Sequence, residues 1–158
     1  MDTYFYEVNI NWTSDKSGIL HSPDINTRLD GNGCIEVATS PRFKNDIPGR
    51  WSPEHLFTAA VSSCLMSTFL GIAEQSNLAF TEFKCLATGK QEKLSEYYLM
   101  TEVILEPTVT IVNEEDRDKA LKLLVRAESE CLISRSINSK VRMLPVVRSL
   151  VPAEAMQL

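Results

Sequence analysis

Tyr4, Tyr6, Val8, Ile10 and Trp12 alternate with Phe5, Glu7, Asn9 and Asn11, a period of two that predicts a strand with one buried face. Ser14-Asp15-Lys16-Ser17-Gly18 reads as a turn, and Ile19-Leu20-His21 begins the returning strand. After a second turn signal at Asp30-Gly31-Asn32-Gly33, the stretch Cys34-Ile35-Glu36-Val37-Ala38 alternates again. The first third of the chain therefore predicts a small antiparallel meander. Ser40 to Arg50, with Pro41, Pro48, Gly49 and four charged residues, is a loop leading out of it.

The pattern then changes period. From Leu56 to Ala73 there is no Asp, Glu, Lys, Arg or His, and apolar or small residues occupy every side of a helical projection. Such a helix is expected to be buried all round. Its start is marked by Ser52 as a cap, Pro53 at the first helical position and Glu54 near the positive end of the macrodipole. Beyond it, Phe83, Cys85 and Ala87 alternate with Lys84 and Leu86 as a strand. A polar connector from Gly89 to Glu96 and a strand from Tyr97 to Leu105, closed by Pro107, complete a long hairpin. Asn113 caps a second helix whose first turn holds Glu114, Glu115 and Asp116. Ala120, Leu124, Ala127 and Cys131 form one inward stripe of it. Ser134 to Ser139 turns, and Val141 to Val147, interrupted by Pro145, is a last edge or bulged strand. The order β-β-β-α-β-β-α-β with antiparallel connections is α+β, in a single domain over 1–158.

Composition narrows the function. The 158 residues carry a net charge of −5 and no Lys/Arg run, which disfavours nucleic acid or an anionic membrane as a partner. The uncharged helix approaches the length of a bilayer span, but it contains five Ser/Thr side chains and follows soluble-looking sequence. With no basic-then-apolar start, the expected location is the cytoplasm. There the four cysteines are free, metal-binding or catalytic before they are structural disulfides.

No C-x-x-C or H-x-x-x-H pair is present, so a zinc site is not expected. Two histidines, His21 and His55, without G-x-S-x-G give no support to a serine hydrolase, and no glycine-rich phosphate loop appears. Cys34 and Cys85 fit as small buried hydrophobes on strands. Cys64 and Cys131 each end or interrupt an apolar face among small or hydroxyl residues. From the residues alone, each is open to two readings, core filler or reactive thiol. Reactivity needs a nearby cation or dipole to favour the thiolate.

The run Ser52-Pro53-Glu54-His55-Leu56-Phe57-Thr58-Ala59-Ala60-Val61-Ser62-Ser63-Cys64 resembles the first cysteine signature of the OsmC/Ohr family of thiol peroxidases. Ala127-Glu128-Ser129-Glu130-Cys131-Leu132-Ile133-Ser134 is similar to the segment around that family's second cysteine. The resemblance implies antiparallel sheets wrapped around two long central helices in an intertwined homodimer. It implies a peroxidatic role for Cys64, a resolving role for Cys131, and a glutamate, Glu54, that orients an arginine over the thiolate. Organic hydroperoxide would be the substrate and a dithiol or small thiol the reductant, with no metal or organic cofactor. For the family arginine this chain offers Arg42, in an Arg42-Phe43 step, as the favoured candidate, with Arg50 and Lys16 as the others. Lysine is the poorer substitute, because a planar guanidinium can bridge a carboxylate and a thiolate at once.

One deduction needs no family. Glu54 and Cys64 are ten residues apart, about 15 Å along a continuous helix and roughly 80° around it. They cannot share a site within one chain, so the glutamate is expected to serve the cysteine of a partner copy, with central helices packed antiparallel. Leu65, Met66 and Phe69 near the thiol would favour apolar peroxides. The rival readings are a non-catalytic module that binds an apolar small molecule, and a redox sensor that switches through a Cys64–Cys131 disulfide.

Overall fold

The computed structural model describes residues 3–14, 16–23, 33–40 and 47–150. Backbone contacts gather the chain into two compact units, residues 1–56 and 57–158.

In the first unit, β1 (Asn9–Ser14), β2 (Ser17–His21) and β3 (Cys34–Ala38) form an antiparallel sheet in that order. Asn9 pairs with His21 and His21 with Cys34, while Ile10 pairs with Leu20 and Leu20 with Ile35. Side chains at paired positions share a face. One face of the sheet is therefore Ile10, Trp12, Leu20, Ile35 and Val37, and the other carries Asn9, Asn11, His21, Cys34 and Glu36. The expected strand from Tyr4 begins only at Asn9, because β2 ends at His21, opposite it. The expected burial of its apolar face does not occur within one chain either. Ile10 is 65% and Trp12 76% exposed, and the face lines an open cavity of about 660 Å³ together with Leu20, Val37, Pro53 and Leu56.

Trp51 runs alongside β3, accepting from the Ala38 amide at 2.9 Å and donating to the Glu36 carbonyl at 3.2 Å. That bridge delivers the chain into α1 (Pro53–Gln75), a single continuous helix. Ser52 caps it as expected. Its hydroxyl accepts from the His55 amide at 3.4 Å, and the Ser52 amide donates to His55 Nδ1 at 3.2 Å. This is the reciprocal arrangement of a capping box with histidine in the usual glutamate place. At the other end Asn77 adopts φ 50°, and the Leu78 amide donates to the Ala73 carbonyl at 3.0 Å, which closes the last turn.

The second unit is built on a hairpin of two 15-residue strands, β4 (Phe80–Leu94) and β5 (Tyr97–Ile111). The polar stretch expected to be a connector is strand up to Leu94. Its charges lie on a solvated face, where Lys90 and Glu92 pair at 2.9 Å, and only Ser95-Glu96 turns, with Ser95 at φ 55°. Pro107 does not end β5. β6 (Lys140–Met143) pairs with Glu102 to Leu105, and β7 (Val146–Ser149) with Thr108 to Ile111. Pro107 thus lies opposite the break at Leu144-Pro145, where the ladder is already interrupted.

β6 and β7 run parallel to β5, a correction to the expectation of purely antiparallel sheets. The cause is the helical crossover between them, since parallel neighbours need a long connection. It begins with a 3-10 turn, Glu114–Asp116, and continues as α2 (Arg117–Glu130) and α3 (Leu132–Ser136). Asn113 precedes the 3-10 turn and makes no side-chain cap bond. Of Ser134 to Ser139, expected to turn, residues 134–136 are helical as the end of α3, with Ser136 Oγ donating back to the Leu132 carbonyl at 2.8 Å, and the chain bends at 138–139.

The stripe Ala120, Leu124, Ala127 and Cys131 is fully buried, as its spacing predicts. Its first three residues meet Val103, Leu105, Val109 and Ile111 of β5 and Val61, Leu65, Phe69, Ile72 and Ala73 of α1 in one core. Phe69 stacks against Phe80 and Phe83 at 5.5 and 5.3 Å between ring centroids. By length and composition α1 could cross a membrane, yet this buried face is the core of a folded unit. Within one chain α1 is buried on one side only. Ala60, Ser63, Met66, Ser67, Leu70 and Gly71 remain exposed.

Gly89 on β4 faces Thr58 of α1 with no room for a side chain. A Cβ there would overlap Thr58 Oγ1 and Met100 Cε, and the short β-branched Thr58 has little room to give way. Gly89→Ala should therefore cost about 1–3 kcal/mol by overpacking, read as a lower urea midpoint with an unchanged m-value.

Candidate active site

Cys64 lies in the middle of α1, half-buried, and its neighbour Leu65 is fully buried. Cys131 is fully buried at the joint between α2 and α3. Its backbone is extended (φ −61°, ψ 116°), which stops one helix and starts the next. The Cys131 amide donates to the Glu128 carbonyl at 3.2 Å, and the Cys131 carbonyl accepts from Arg135 at 3.1 Å. The amides of Leu132 and Ile133, in the first turn of α3, lack carbonyl partners within the helix. They are directed at the other cysteine: Ile133 N donates to Cys64 Sγ at 3.5 Å.

These contacts make the two thiols unequal. Burial is the largest influence on Cys64 and pushes its thiol up. The Cys131 thiol, the Ile133 amide, the Thr68 hydroxyl and the Leu132 amide together outweigh it and hold Cys64 below the ordinary thiol range. For Cys131, burial pushes up first, and the adjacent Cys64 sulfur pushes further. The Ser134 hydroxyl and amide oppose this, and Cys131 remains raised. Within the pair the negative charge therefore belongs on Cys64 and the proton on Cys131. A thiolate held next to a protonated thiol is equipped to attack an electrophile and then form a disulfide.

The principal influences on Cys64 include no charged group. Arg42, the favoured cation from the sequence, lies outside the described residues. Arg50 forms an ion pair with Glu36 in the first unit, and Lys16 lines the cavity on the first sheet. Glu54 is in the first turn of α1, half-buried, with Oε2 shielded from solvent. Because α1 is continuous, Glu54 and Cys64 of one chain are separated by about 15 Å along the axis. The structure thus brings the Cys131 segment to Cys64, while Glu54 lies ten residues before Cys64 on the same continuous helix.

Two features of this centre escaped the sequence reading. Thr68 follows Cys64 by four residues, a spacing that puts both on one helical face, so it was there to be found. The α3 amides were not, since they depend on the break at Cys131. Of the remaining cysteines, Cys85 is half-buried and its thiol is raised, chiefly by burial. Cys34, expected to be buried, is exposed, because it falls on the polar face of its sheet. Among the described residues no cluster of three or more His, Cys, Asp or Glu side chains could hold a metal ion.

A fold of this topology, with one cysteine on the long helix and a second at the break after α2, defines a class. The model for OsmC-like proteins matches residues 44–143, and the chain belongs to that family. It is 25% identical over 146 residues to the uncharacterized protein YmaD of Bacillus subtilis, covering 90% of this chain and 91% of YmaD. Among solved structures, an OsmC-like protein of unknown function from Vibrio cholerae superposes with a TM-score of 0.77 at 21% identity, over 91% of this chain and all of that one. An organic hydroperoxide resistance protein from Elizabethkingia anophelis superposes with a TM-score of 0.68 at 19% identity, over 94% of this chain and 98% of its own.

Proposed function

We propose that the protein is a thiol peroxidase that reduces organic hydroperoxides to alcohols, with Cys64 as the peroxidatic and Cys131 as the resolving cysteine. The observation that carries this reading is the meeting of the two cysteine segments: Ile133 N, two residues beyond Cys131, donates to Cys64 Sγ at 3.5 Å, and the two thiols are shifted in opposite directions. Membership of a family that includes proteins named for organic hydroperoxide resistance supports it. The Cys64 thiolate attacks the terminal oxygen of R–O–O–H. An S–O bond forms, the O–O bond breaks, and the departing alkoxide takes up a proton and leaves as alcohol. Cys131 then loses its proton and attacks the sulfenic sulfur. Hydroxide leaves with that proton as water, and the two sulfurs are joined. An external dithiol or small thiol returns the disulfide to two thiols, and no metal or organic cofactor takes part. The apolar helix that carries Cys64, with Leu65 and Phe69 buried in the core and Met66 on its surface, would favour alkyl peroxides over hydrogen peroxide.

In this reading the whole chain acts as one domain in a cytoplasmic homodimer with shared active sites, and neither nucleic acid nor membrane is a partner. Two exposed apolar surfaces support the second copy: Met66 and Leu70 along α1, and the Ile10–Trp12 face of the first sheet. Antiparallel α1 helices would bring Glu54 of one copy to Cys64 of the other, with Arg42 as the cation that Glu54 orients.

One equivalent of an alkyl hydroperoxide should remove two of the four thiols, and peptide mass spectrometry should find Cys64 joined to Cys131. A dithiol should restore both and sustain turnover. Four intact thiols after that treatment would reject the proposal, and a disulfide that forms once without cycling would favour the sensor.

A further inference from the structure

We propose that Cys34 is a modification site, a surface thiol that exchanges with small disulfides and is activated for it by His21 and Asn9. The inference is independent of the Cys64–Cys131 pair and of the peroxidase reading.

The first sheet sets these three residues in one row. Asn9 pairs with His21, and His21 with Cys34. The imidazole therefore stands on the middle strand, between a carboxamide on β1 and a thiol on β3. Directly opposed residues share a face and have Cβ atoms about 4.5–5.5 Å apart. At that spacing a ring nitrogen and a sulfur meet by side-chain rotation alone. Both side chains have room to rotate, since Cys34 is exposed and His21 half-buried. The chain has only two histidines, and one of them lies directly across from its one exposed cysteine. Cys85, by contrast, has Pro107 across from it.

A nucleophile beside a base, with a third group to orient the base, is the arrangement that activates a thiol. Asn9 Nδ2 donates to Glu7 Oε1 at 3.2 Å, which leaves the carboxamide oxygen to accept from the far N–H of the ring. The near nitrogen then faces the thiol as a base. Two carboxylates share this face, and both are engaged: Glu7 accepts from Asn9, and Glu36, two residues beyond Cys34, is paired with Arg50.

The exchange balances without further reagents. The Cys34 thiol passes its proton to His21, and the thiolate attacks one sulfur of R–S–S–R. A new S–S bond joins Cys34 to that sulfur and the original S–S bond breaks. The departing thiolate takes the proton from the imidazolium and leaves as R–SH. Cys34 is oxidised, half of the small disulfide is reduced, and excess R–SH reverses the step. A solvated sheet face admits such a reagent without a pocket.

The test treats the wild-type chain, His21→Gln and Asn9→Leu with oxidised glutathione across pH and follows the mixed disulfide on the Cys34 peptide by mass spectrometry. The wild-type rate should show a step in the range where imidazoles titrate, and His21→Gln should abolish it. At neutral pH His21→Gln should slow the reaction about tenfold, the effect of one pKa unit on the thiolate fraction. Asn9→Leu should slow it in the same direction by less. Circular dichroism melting checks that the variants are folded, and the wild-type profile needs no variant. A Cys34 that forms no mixed disulfide, a profile without the step, or a His21→Gln chain that reacts as fast as wild type would overturn the proposal. The readout lies on a different peptide from Cys64 and Cys131, so its failure leaves the peroxidase reading standing.

Discussion

Cys64→Ser should reduce hydroperoxide consumption to the uncatalysed background, while Cys131→Ser should consume about one equivalent per chain and stop. The contrast follows from the electrostatics of the pair. Cys64 is held below the ordinary thiol range by four donors that outweigh its burial, whereas Cys131 is held above it, chiefly by burial. Of the two, Cys64 is the more readily ionised and so the better nucleophile. A serine hydroxyl at position 64 is not appreciably ionised there, so the first bond never forms. Serine at position 131 leaves the first step intact but removes the sulfur that resolves it. The product should be a Cys64 sulfenic acid, captured by dimedone and seen as an added mass on the Cys64 peptide. Full turnover by Cys64→Ser would move the chemistry to another thiol, and Cys34 is the exposed one.

What could be read from the sequence follows from which forces act locally. The Ala120-Leu124-Ala127-Cys131 stripe was legible because burial on one face of a helix imposes its own period, and the structure buries all four. The cap at Ser52 was legible because it is settled within three residues. The parallel pairing of β6 and β7 was not, since strand direction depends on the path of the α2–α3 crossover and leaves little trace in the strands themselves. The length of the hairpin was hidden for a different reason. Lys90 and Glu92 look like connector residues until their cross-bonded, solvated strand face is seen. At the site, Cys64 and Cys131 could be named from their motifs. Their contact could not be deduced from spacing, and neither could the Leu132 and Ile133 amides, because both depend on the extended residue that breaks α2.

Chains carrying Glu54→Gln and chains carrying Cys64→Ser should each be nearly inactive alone, yet co-expressed they should recover about a quarter of wild-type activity. Random pairing in a symmetric dimer makes half of the assemblies mixed. In a shared-site dimer each mixed assembly has one site with an intact Cys64 from the first chain and an intact Glu54 from the second. The physical basis is the separation of about 15 Å that a continuous α1 imposes between those two residues in one chain. Glutamine keeps the shape of the side chain but cannot hold a guanidinium by charge, so the cation that Glu54 orients would lose its register over the thiolate. If Glu54 served the cysteine of its own chain, every Cys64 in the mixture would lie beside a glutamine and nothing would be recovered. Differently tagged chains, purified through both tags, should raise the recovered activity to about half, because every assembly is then mixed. Recovery absent from that doubly purified sample would reject the shared site, and a single-chain mass in light scattering would reject the dimer on which it rests.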